Sequence, residues 1–74
     1  MTIKSCRVDY YVQVMPRGCI ANATIVDAET DEILHRLIRD WDSLPISFAK
    51  KYIVDDATLI AEEHGYEVQK AVQK

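Results

Sequence analysis

The sequence predicts an α+β fold, a two-layer sandwich with one helix packed on an antiparallel three-stranded meander. Three observations predict it. Residues 6–15 alternate apolar and polar side chains with the period of two that marks a strand. Residues 19–27 and 33–39 are two further strand-like stretches, each preceded by turn-forming residues. A long apolar stripe then recurs at spacings of three and four, the period of an amphipathic helix. The element order is β-β-β-α, with a short final β expected.

In the first strand Val8, Tyr10, Val12 and Val14 share one face. Pro16-Arg17-Gly18 supplies the turn, Pro by fixing φ and Gly by tolerating a positive φ. A loop of two or four residues then sets Cys19, Ala21, Ala23 and Ile25 on the face of Val8 to Val14. The stretch from Asp27 to Glu32 reads as a second hairpin loop, with Asp31 in a left-handed conformation. Pairing Asp27 with Glu32 places Leu34, Arg36 and Ile38 on the same face. At the helix entry Asp42 or Ser43 is the expected cap, Pro45 suits the first turn, and Trp41 staples onto Ile46. Ile46, Ala49, Ile53, Ala57, Ile60 and His64 form the stripe of one continuous helix over 45–64. Gly65 ends it. Tyr66-Glu67-Val68-Gln69 is a short strand or a fraying tail.

Seventy-four residues fit one domain, 1–74, which buries only about 60% of its unfolded surface. Apolar residues at 49% and charged residues at 28% exclude a disordered tail or a collagen-like chain. No apolar run is long enough for a membrane helix, and the first five residues lack a signal-peptide core. Cys6 and Cys19 fall near opposite ends of the first hairpin, roughly 20 Å or more apart at ~3.3 Å per residue. They are too far apart to pair, and free thiols point to a cytoplasmic protein.

Signs of catalysis are absent. Two glycines cannot build a phosphate-cradling loop, and the adjacent acids Asp55/Asp56 and Glu62/Glu63 diverge on a helix. The stretch Asp27-x-Glu29-x-Asp31 has Glu32 and Ile38 where a calcium loop needs Gly and Glu. No metal, cofactor or catalytic residue is expected, and the chain is not expected to be an enzyme.

The face of the sheet away from the helix carries the functional expectation. It is expected to hold Tyr11, Met15, Ile20, Val26, Ile33, His35 and Leu37 among polar neighbours. A face this apolar marks a contact site. Tyr11→Lys or Leu37→Lys is expected to alter contacts and leave the fold intact. Asp27, Glu29, Asp31 and Glu32 crowd the second hairpin tip, more carboxylates than a turn uses, and so extend that site toward a basic protein surface.

The β-β-β-α order resembles the core of double-stranded-RNA-binding domains and the partial version of that fold in HicB-type antitoxins. The basic cluster that such domains carry at their last helix is replaced here by Asp42-Ser43-Leu44-Pro45-Ile46-Ser47. Nucleic-acid binding through Arg36, Arg39, Lys50 and Lys51 is therefore the alternative expectation, against a net charge of -3. Small size and acidity also resemble virus-encoded inhibitors such as anti-CRISPR proteins. The leading expectation is a small protein-binding module, an inhibitor, antitoxin or adaptor, with a possible homodimer through the outer sheet face and no membrane partner.

Overall fold

The computed structural model describes residues 3–74. Met1 and Thr2, part of the amino-terminal stretch read for a signal peptide, lie outside them. The elements are β1 (Lys4–Met15), β2 (Gly18–Asp27), β3 (Ile33–Trp41), α1 (Ile46–Glu63) and β4 (Tyr66–Gln73). One helix covers one face of a four-stranded mixed sheet with strand order β3-β2-β1-β4.

β1 and β2 form the expected hairpin around Pro16-Arg17. Val8, Tyr10, Val12 and Val14 stand opposite Ile25, Ala23, Ala21 and Cys19. At the turn Gly18 has φ 147, and a Cβ there would overlap the Trp41 carbonyl oxygen. The second turn also closes as expected: Asp27 N–H donates to the Glu32 carbonyl at 2.8 Å, and Asp31 has φ 59.

Beyond that turn the register departs from expectation. Val26 pairs with Ile33, but Ile25 pairs with His35, so Leu34 is an extra residue in a β-bulge. Because side chains alternate with period two, one inserted residue turns every later side chain to the other face. Leu37 therefore pairs with Ala23 inside the core and is 5% exposed, while His35 turns toward the helix end. Neither belongs to the outer face. Arg36 and Ile38 take the outward places instead. The shift exchanges a buried Arg36 for a buried Leu37 and brings Trp41 inward against Tyr52, with ring centroids 6.2 Å apart. It also corrects a design assumption, because Leu37→Lys would force a charge into the core.

α1 is continuous, as the stripe predicts. Its buried residues are Ala49, Ile53, Ala57 and Ala61, while Ile46 is 41% exposed. Neither Asp42 nor Ser43 caps it. Pro45 is the N-cap, has no side-chain cap bond, and accepts the Phe48 and Ala49 N–H groups on its carbonyl. Gly65, with φ 83, follows the helix, and its N–H donates to the Glu62 carbonyl at 3.0 Å.

The tail is a full strand. β4 runs parallel to β1 from Lys4↔Tyr66 to Tyr10↔Gln73, with Gln69 bulged out. The expected strand at Tyr66 to Gln69 is its first half, and β1's free edge carries the pairing on through Ala71 and Val72. The core joins Cys6, Val8, Ala21, Ala23, Ile25 and Leu37 to Ile53, Ala57 and Ala61. Alanines meet alanines between helix and central strands, which lets the two layers approach closely. Among the described residues no helix is long and apolar enough to cross a membrane.

Candidate functional site

The outer sheet face is built by the alternation of β1, β2 and β3. Cross-strand pairs Arg7↔Val26, Asp9↔Thr24, Tyr11↔Asn22 and Gln13↔Ile20 all stand on it, since their neighbours in sequence face the helix. β3 adds Ile33 beside Val26, Arg36 beside Thr24, Ile38 beside Asn22 and Asp40 beside Ile20. Of the expected residues, Tyr11, Met15, Ile20 and Ile33 are present and accessible, while Val26 stands on the face but is buried, 4% exposed. Ile38, 63% exposed, is the apolar residue that the bulge adds.

These residues form two groups. Near the second turn, Tyr11, Val26 and Ile33 line a shallow basin of about 370 Å³ whose wall includes Arg7, Asp31 and Lys74. Met15 and Ile20 lie at the opposite end, beside Gly18 and Asp40. Asn22 and Thr24 separate the two groups on β2, so the face is a mosaic. Its charges are already matched at the basin. Arg7 Nε donates to Asp9 Oδ1 at 3.0 Å and its Nη1 to Asp31 Oδ1 at 3.4 Å, while Lys74 Nζ lies 3.7 Å from Asp9. The Tyr11 hydroxyl donates to Gln13 Oε1 at 3.0 Å.

The acidic turn divides its carboxylates between two duties. Asp27 Oδ1 accepts the N–H groups of Glu29 at 2.8 Å and Thr30 at 3.1 Å. Those two backbone bonds hold its carboxyl below the ordinary carboxylate range, and the Tyr66 hydroxyl at 3.4 Å adds to the effect. Asp31 is engaged by Arg7. Among the described residues Glu29 and Glu32 have no ionic partner, so the tip offers two carboxylates rather than four.

The remaining chemistry is sparse. Burial, helped by the Asp27 charge, pushes the Cys6 thiol up and keeps it protonated. Cys19 is buried too, its Sγ 3.7 Å from the Leu44 carbonyl oxygen. Both thiols are free. His35 and His64 approach to 6.4 Å between ring centroids beside a cavity of about 170 Å³. His64 Nδ1 lies 2.8 Å from the Ile60 carbonyl oxygen, so that nitrogen carries the proton. Among the described residues no three His, Cys, Asp or Glu side chains gather as metal ligands.

Sequence reasoning missed a second apolar surface on the helix flank nearest β3. Phe48, Tyr52 and Leu59 are 50%, 43% and 59% exposed, and Phe48 stacks on Tyr52 at 6.3 Å. Trp41 and the Arg39–Asp56 ion pair, 3.5 Å long, mark this flank as the β3 side. The signal was in the spacing. Residues four and seven apart make a second stripe, one residue ahead of the buried one. No family model, no curated protein and no solved structure matches the chain.

Proposed function

We propose that the protein is a small non-catalytic binding module that occludes or tethers a macromolecular protein partner. An inhibitor of the virus-encoded kind, an antitoxin or a cytoplasmic adaptor would each work this way. One observation carries the reading: Tyr11, Ile33 and Ile38 stand exposed on a sheet face that no element among the described residues covers. Glu29 and Glu32 border that face with unmatched negative charge, which favours a basic partner surface. Affinity capture from the source cell with tagged wild type and with Tyr11→Lys/Ile33→Lys tests it. Wild type should retain a protein that the folded variant loses; identical captured sets would end the proposal.

The nucleic-acid alternative has weaker support. Strand alternation sends Arg36 and Arg39, three residues apart, to opposite faces, and Arg39 is engaged by Asp56. The four cations thus do not form one patch. A mobility-shift titration at low salt decides it, since phosphate binding must weaken steeply as salt rises.

A further inference from the structure

We propose that two copies of this chain join through their β3 edges into one continuous antiparallel sheet. β3 is an edge strand with no neighbour on its outer side among the described residues. Of its backbone groups the Ile38 carbonyl accepts the exposed Arg39 Nη1 at 3.0 Å, a side-chain bond that a second strand can displace. From His35 to Trp41 it pairs with β2 without irregularity, so this segment is a straight template for another strand. The opposite edge is protected differently, since β4 is broken by the bulge at Gln69.

Charge selects both the occupant and the register. A two-fold axis perpendicular to the sheet pairs like-facing residues, so the axis must pass midway between the two copies of one β3 residue. Centring on Arg36 or Arg39 sets like charges against each other. Centring on Leu37 sets Arg36 against Ile38 and leaves Asp40 opposite Leu34. Centring on Ile38 sets Arg36 opposite Asp40 of the second copy, twice, with Ile38 against its own symmetry mate between them. Neither Arg36 nor Asp40 has an ionic partner within the described chain, and both are exposed. Main-chain bonding along the strand supplies the attraction, and the two charge pairs fix the alignment.

On the helix side the same register sets His35 against Trp41 of the second copy. Phe48, Tyr52 and Leu59 then wall a trough above the joined strands, which explains an exposed stripe that the monomer leaves without a role. The outer face becomes one eight-stranded surface, twice the single-chain sheet of four strands. This assembly does not depend on the partner proposed above.

Charge reversal tests the register directly. Arg36→Asp opposes Asp to Asp in a homodimer, and Asp40→Arg opposes Arg to Arg. Each variant alone should sediment as a monomer at concentrations where wild type has twice the chain mass. Mixed in equal amounts, the two variants become complementary and should return to the dimer mass, with the effect fading at high salt. Tyr11→Lys should leave the dimer mass unchanged, which separates this interface from the outer face. A monomeric wild type, dimeric single variants or a mixture that stays monomeric would each overturn the proposal.

Discussion

At Gly18 the second strand starts with φ 147, directly beneath the Trp41 carbonyl and the Asp42 backbone. Both obstacles are main chain, so neither can rotate away from a new methyl group. Gly18→Ala should therefore cost about 3 kcal/mol or more, read as a lowered urea midpoint with an unchanged slope. Asp27 acts through charge instead. Its carboxyl titrates lower in the folded chain than in the unfolded one, because Glu29 and Thr30 donate to the ionised form. That stability is present above the unfolded carboxylate pKa and is lost as pH falls through the folded one. Asp27→Ala should lower the melting temperature at neutral pH, and the gap from wild type should narrow below about pH 4. A gap that stays constant on acidification would show that the turn bonds do not depend on ionisation.

Among the elements, β4 decides whether β1 is central or peripheral. It covers the β1 edge from Lys4 to Tyr10 and packs Tyr66 and Val68 against the core. Without it, Cys6 and Val8 lose a flanking strand and β1 becomes the bare edge in place of β4. Truncation after Gly65 should abolish the cooperative thermal transition or give an aggregating chain, checked by circular dichroism and light scattering. A truncated chain that melts like wild type would show β4 to be dispensable. The Leu34 bulge is the other deciding element. It converts β3 from a strand that buries Arg36 into one that buries Leu37 and packs a half-buried Trp41 against the core.

For the whole molecule, the outer face mixes apolar side chains with matched charges, and unmatched negative charge sits at the second turn. Among the described residues Glu29 and Glu32 project from the second turn without ionic partners, while the basin beside them has its charges matched. Glu29→Lys with Glu32→Lys should leave the melting temperature within a few degrees, since exposed carboxylates without contacts contribute little. It should slow association with a basic partner at low salt, and the difference should shrink as ionic strength rises. An association rate indifferent to the double reversal would reduce these residues to solvation.

What the sequence determined by itself was local. The alternation in 6–15 set which side of β1 is buried, Pro16-Arg17-Gly18 set the first hairpin, and the steps of three and four from Ile46 to His64 set the helix, whose last buried residue is Ala61 while His64 is exposed. Each depends on neighbours within a turn or two of chain, so periodicity records it. The placement of Tyr11, Met15, Ile20, Val26 and Ile33 on one face followed from the same period. The fate of His35 and Leu37 did not. In Ile33-Leu34 and Leu37-Ile38 apolar residues are adjacent, so both registers of β3 bury one member of each pair. The choice was left to contacts far away in sequence, Trp41 on Tyr52 and Leu37 among Ala23 and the helix. Likewise Tyr66 to Gln69 was legible as a short strand, but its extension to Gln73 and its parallel pairing were left to the vacant edge of β1, more than fifty residues earlier. Tertiary structure decided these points because a bulge or an edge pairing changes little in local energy and much in what the helix covers.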